Sequence, residues 1–92
     1  NEIGNALGAT FENASDDELS KLGLNDGVKI KELQPGKLKS SGAREGFIIT
    51  SIDNTPMKTT SDVLNYLKDK KGGVLIEGVY SNGMKAYYGF GL

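Results

Sequence analysis

The apolar and polar positions of the chain fall into stretches of two periods. In Gly27-Val28-Lys29-Ile30-Lys31-Glu32-Leu33 they alternate, which predicts a strand with one buried face. Phe47-Ile48-Ile49-Thr50-Ser51-Ile52 is a continuous apolar run rich in β-branched residues, which predicts a central strand. Val74 to Tyr80 predicts a second central strand, and Met84 to Phe90 the strand returning beside it. Between them Ser81-Asn82-Gly83 predicts a tight hairpin turn, since Asn-Gly is the strongest short hairpin signal. Leu7 to Glu12 predicts a shorter strand, with Asn13 and Ala14 leading out of it. Asp53-Asn54 predicts a turn, and Thr55-Pro56-Met57 is too short and too Pro-bound for more than an edge segment.

Helical spacing appears in two places, each introduced by a cap. Ser15 followed three residues later by Glu18 makes a capping box, after which Leu19 and Leu22 share one face and Gly23 stops the helix. Thr59 stands in the same relation to Asp62, and Val63, Leu64, Tyr66 and Leu67 then cover one broad face. Lys68, Lys70 and Lys71 complement the dipole at that helix's C-terminal end, and Gly72-Gly73 ends it. Pro35-Gly36 is a turn, and Lys37 to Ser41 predicts a single helical turn closed by Gly42. Strands precede, interrupt and follow the main helix. The class expected is therefore α+β: a partly open, barrel-like antiparallel sheet of about five strands, one main helix and one or two short ones.

Composition narrows the chemistry. The 92 residues make one domain with one modest core. Eleven Lys and Arg are scattered among twelve Asp and Glu, for a net charge of −1, so no nucleic-acid footprint is present. No apolar run approaches the roughly 20 residues of a membrane helix, so no membrane insertion is expected. Cys and His are both absent, which removes disulfides, thiolate chemistry, the His-based triad and the commonest transition-metal ligand. Two remaining groups of catalytic type have plainer readings. Asp16, Asp17 and Glu18 suit the first turn of a helix, where the dipole favours acids, and Ser40 and Ser41 near Lys37 and Lys39 are what a solvated turn contains. No catalytic residue, metal or cofactor is expected in this chain.

The order of pieces carries a resemblance. "GVKIKEL" is followed by "SGAREGFIITSIDNTPM", then by the capped helix "TTSDVLNYL" and two hairpin strands, with "ALGATFE" in front. This resembles a PDZ domain in the bacterial, circularly permuted arrangement, above all the C-terminal PDZ domains of Do/HtrA (Deg) family serine proteases. It covers nearly the whole chain, with a core from about residue 7 to residue 90 and residues 1–5 as a leader or linker. Two departures stand out: Gly46-Phe47 where the family often has Gly-Asp, and Lys37 to Ser41 where it has an Ala-rich turn.

The resemblance implies a site. Ala6, Leu7, Gly8 and Ala9 would form a loop whose amides receive a peptide's terminal carboxylate, with Gly8 allowing the backbone to turn and approach closely. The peptide would add as a strand beside Thr10, Phe11 and Glu12, and Thr60, Leu64, Leu67 and Lys68 would form the opposite wall. Leu7, Ala9, Leu64 and Leu67 would bound the pocket for the last side chain, and the small Ala9 leaves room there for a large apolar one. The resemblance further implies a module of a periplasmic or envelope protease that captures C-termini or unfolded segments. Its other partners would be the protease domain and further PDZ domains. The alternative is a domain that serves subunit assembly and binds little peptide. Leu92, an apolar residue at the end of the chain, would itself suit such a groove in another copy.

Overall fold

The structure, a computed structural model, describes residues 7–91; Ala6 of the expected loop, and Leu92, lie outside the described residues. The elements in chain order are β1 (Ala9–Asn13), α1 (Asp16–Leu22), β2 (Val28–Leu33), α2 (Lys37–Ser40), β3 (Ile48–Ile52), β4 (Thr55–Pro56), α3 (Thr60–Lys68), β5 (Gly73–Val79) and β6 (Lys85–Gly91). The sheet runs β1-β2-β3-β5-β6, with the two-residue β4 set against β3, and every pair is antiparallel. The expected class holds: α+β, with an open antiparallel sheet and three helices.

Both predicted capping boxes form. The Ser15 hydroxyl accepts the Glu18 N–H and the Glu18 carboxylate accepts the Ser15 N–H, and Thr59 and Asp62 do the same at the head of α3. Each exchange satisfies two of the helix's orphan donors. Glu18 also pairs with Lys29 of β2 at 2.8 Å, which holds α1 against the sheet. The Lys29 contact comes first among the causes that lower the Glu18 carboxyl below the usual range, and the same contact raises the Lys29 ammonium.

Leu7, Val28, Ile30, Leu38, Phe47, Ile49, Ile52, Val63, Leu67 and Ile76 are fully buried in one cluster between the sheet and α3. Phe47 anchors its far side, edge-on to Tyr88 and tilted against Tyr80. The hydroxyls of Tyr80 and Tyr88 hydrogen-bond to each other, and Tyr80 accepts the Arg44 N–H at 3.2 Å. Burial, together with the Tyr88 contact, pushes the Tyr80 phenol up to about 12.

Two local expectations are corrected, and two expected turns are given their geometry. The first strand begins at Ala9, not Leu7, because Gly8 turns the chain at φ +73° and Leu7 points into the core. The expected hairpin turn at Ser81-Asn82-Gly83 forms: the Gly83 N–H donates to the Tyr80 carbonyl, only Gly83 has positive φ, and the Asn82 side chain caps the Met84 N–H. The turn expected at Asp53-Asn54 also forms, with two residues that both have positive φ and with Ile52 paired with Thr55. Finally, the alternation in β2 is broken by a bulge. Thr10 faces Glu32 and Phe11 faces Ile30, so Lys31 is left over. The interval of three between Ile30 and Leu33 is its trace in the sequence.

Candidate functional site

Among the described residues, strand β1 stands at one end of the sheet and pairs with β2 alone, while α3 packs beside it. An edge strand presents unpaired N–H and C=O groups, and here a helix lies along that side. The edge of β1 left without a strand partner among the described residues, and the flank of α3, are the surfaces between which the resemblance implies a groove.

At the groove's head the chain turns through Leu7-Gly8-Ala9. The Gly8 carbonyl accepts the Gln34 N–H at 2.7 Å. A Cβ on Gly8 would stand 2.7 Å from the Gln34 carbonyl oxygen, and one on Gly36 would stand 2.6 Å from the Leu7 carbonyl oxygen. Two backbones cross here at a distance that only glycines on both sides permit, and Gly8 also needs its left-handed φ. The turn is therefore locked to the Gln34–Gly36 segment before any ligand arrives.

The expected site residues divide by depth. Leu7 and Leu67 have no exposed surface, and their side chains belong to the core, so they can only underlie the groove. Ala9 and Phe11 are half-buried and pack against that core from β1. Glu12 is half-buried and Thr10 exposed. On α3, Thr60 and Leu64 are half-buried and Lys68 is exposed. Val63 and Leu67, one turn apart, face inward, and Leu64 is rotated about 100° from Val63, outside the core cluster. An apolar side chain that is half-exposed beside an open strand edge is a contact waiting for an apolar ligand.

Sequence reasoning misses one residue of the groove. The Asn13 side-chain oxygen, at the end of β1, accepts the Thr60 N–H of α3 at 3.0 Å. Thr60 is the first residue of α3, so Asn13 caps that helix from 47 residues away. No local pattern signals it, because the partner is supplied by tertiary structure.

The other candidate groups have structural partners. Lys37 donates to the Gly91 carbonyl at 2.7 Å and Ser41 donates to the Leu38 carbonyl at 2.6 Å, so the two are held by backbone and not by each other. Asp16 and Asp17 are exposed in the first turn of α1. Among the described residues no three His, Cys, Asp or Glu side chains gather to hold a metal, and no helix is long and apolar enough to cross a membrane. The most connected carboxylate is Asp53. It accepts the Leu75 N–H at 2.9 Å and the Tyr66 hydroxyl at 2.8 Å and lies 3.4 Å from the Lys70 ammonium. The Leu75 hydrogen bond foremost, then that of Tyr66, holds its carboxyl below the usual range. This cluster ties the β3–β4 turn to α3 and β5.

No protein-family model matches the chain, and no curated protein matches it. Solved structures do match. The crystal structure of the HtrA3 PDZ domain bound to a phage-derived ligand (FGRWV) is similar with a TM-score of 0.78 and 15% identity, over 92% of this chain and 81% of that one. The HtrA-type protease AlgW with decapeptide is similar with a TM-score of 0.70 and 20% identity, over 90% of this chain and 27% of that one. This chain thus spans about a quarter of the length of the AlgW chain. At these identities the likeness is one of fold, and the fold is the PDZ fold.

Proposed function

We propose that this PDZ-fold domain is the peptide-binding module of an HtrA-type serine protease, taking up C-terminal or exposed hydrophobic segments of unfolded proteins by strand addition. The observation that carries the reading is the open edge of β1, lying beside α3 with the glycine-locked turn at its head. A peptide strand added there gains backbone hydrogen bonds along Ala9–Asn13 and apolar contact with Ala9, Phe11 and Leu64. A terminal carboxylate received by the amides of the Leu7–Ala9 turn would add bonds of about 1.5–3 kcal/mol each. The ordering of the peptide offsets much of this, so micromolar affinity, about −8 kcal/mol, is the expected scale. Both similar structures hold peptides, which supports the reading by analogy of fold. The catalytic machinery would lie elsewhere in a longer protein, in the periplasm or cell envelope of a bacterium.

The test is a titration of the ¹⁵N-labelled domain with a peptide ending in Leu, as free acid and as C-terminal amide. Shifts at Gly8, Ala9 and Phe11 with the acid alone are expected. Absence of shifts with either peptide overturns the reading.

A second reading, subunit assembly, is favoured by a different surface. Leu75 and Tyr87 stand diagonally on the outer face of the β5–β6 pair, 46% and 59% exposed, with Met84 beyond them at 63%. A molecular mass that rises with concentration, and that drops to the monomer on Tyr87→Ser, would support it.

A further inference from the structure

The free edge of β6 bears on what the outer β5–β6 face meets, a question that rests on the assembly reading of that face. The hydrogen-bond phase of the hairpin fixes which groups point outward. The Tyr80 N–H donates to the Met84 carbonyl, so every second residue of β6, counted from Met84, bonds β5. Leu75, opposite Gly89, donates its N–H to the Asp53 carboxylate, and its carbonyl accepts the Asp53 N–H, both away from β6. Lys85, Tyr87, Gly89 and Gly91 therefore turn their backbone groups to the open edge, where the Gly91 carbonyl accepts Lys37 at 2.7 Å. All four residues are exposed. Along this edge runs a cleft of about 420 Å³ between α2 and β6, lined mostly by the small residues Gly36, Ser40, Ser41, Gly89 and Gly91.

We infer that β6 pairs with β6 of a second copy of this chain, antiparallel about a two-fold axis at Tyr88. In that register the seven residues Lys85–Gly91 overlap completely. Ala86 stands opposite the second copy's Phe90, Tyr87 opposite its Gly89, and Tyr88 opposite its own counterpart. Large residues thus meet small ones except at the axis, where two rings face each other. On the outer face Gly89 has no side chain, so the second copy's Tyr87 lies over it and reaches Leu75 on the next strand. Leu75 and Tyr87, 46% and 59% exposed in one copy, join across the axis into one apolar strip. On the inner face the residue brought to the α2 cleft is Ala86, the smallest side chain of β6. The two Lys85 residues stand about 20 Å apart, each opposite a Gly91, so no like charges meet. A register moved toward the hairpin turn sets Tyr87 against Tyr87 and Gly89 against Lys85, and loses the strip. About six backbone hydrogen bonds form without disturbing the Lys37–Gly91 bond. So short an edge buries roughly 1,000 Å² or less, which makes the dimer weak. β1 becomes the outer end of the joined sheet on each copy, and its edge stays free.

Two measurements test it. Sedimentation velocity up to about 1 mM should show the wild type passing from monomer to dimer. Gly89→Pro removes an outward N–H and no bond to β5, as an edge strand tolerates, and should weaken the dimer by about tenfold or more. Circular dichroism confirms that the variant is folded. The second measurement reads the register and does not depend on that variant. The chain has no Cys, so introduced ones report alone. Lys85→Cys and Gly91→Cys face each other across the axis with about 5.5 Å between Cα atoms, within reach of a disulfide. In either variant by itself the two cysteines lie about 20 Å apart. Oxidation with copper phenanthroline should therefore link the mixture of the two variants and neither alone. A dimer that survives Gly89→Pro, or that links no better in the mixture than in either variant alone, overturns the inference and leaves the assembly reading standing. A wild type that stays monomeric throughout overturns both.

Discussion

Leu64 and Leu67 belong to the same apolar stripe of α3, yet only Leu67 is spent on the core. It has no exposed surface, so Leu67→Ala should cost about 2–5 kcal/mol in urea unfolding. Leu64 is half-buried and outside the core cluster. Leu64→Ala should change stability by less than about 1 kcal/mol and weaken binding of a Leu-terminated peptide by about tenfold in the same titration. The stripe was legible in the sequence, but the division within it was not. A 3.6-residue period marks a broad apolar face and does not say where the sheet beneath it ends. The role of Gly8 was legible in kind, since a glycine beside a strand suggested a close approach. The structure supplies the partner, the backbone at Gln34–Gly36. Gly8→Ala meets both a φ of +73° and a carbonyl at 2.7 Å, so it should destabilise by about 2–4 kcal/mol, read from the unfolding midpoint.

Caps and turns act at the level of elements. Ser15→Ala removes one half of the α1 capping box and should cost about 1 kcal/mol. Breaking the partly exposed Glu18–Lys29 pair through Lys29→Met should change stability by less than about 0.5 kcal/mol at moderate salt. Asp53 is a stronger case, because its carboxylate joins a turn, a helix and a strand. Its folded pKa is lowered, so the stability it contributes is present above the ordinary carboxylate range and is lost as pH falls through the folded value. Asp53→Asn, which still tolerates the turn's positive φ, should therefore lose less stability than the wild type on acidification below about pH 5. Equal slopes in acid for the two proteins would remove Asp53 from the account. Both capping boxes were readable because they are local, four-residue patterns. The bulge in β2 and the helix cap donated by Asn13 were not, since each depends on how a second strand or helix lies alongside.

Over the whole molecule, the sequence conveyed the fold through its order of strands and capped helices, although neither the HtrA3 PDZ domain nor AlgW exceeds 20% identity to it. Among the described residues the sheet is open at both ends, and the two ends differ. At one, β1 is flanked by α3 and carries Thr10 and Glu12 among its exposed and half-buried positions. At the other, β6 carries no charged residue from Ala86 to Gly91. Uncharged edge strands are prone to pair with further copies, so charge introduced on the exposed face of β6 through Tyr87→Lys should reduce any self-association without touching peptide affinity. Sedimentation velocity over a concentration series checks it.

The Gln34–Lys37 segment holds both outer strands at once. The Gln34 N–H bonds Gly8, Gly36 lies against Leu7, and the Lys37 ammonium bonds Gly91. Tension applied through the two ends of the described chain enters at these three contacts before it reaches the sheet. One short segment thus clasps both ends of the described chain, so a side chain added at Gly36, 2.6 Å from the Leu7 carbonyl oxygen, disturbs the clasp at its centre.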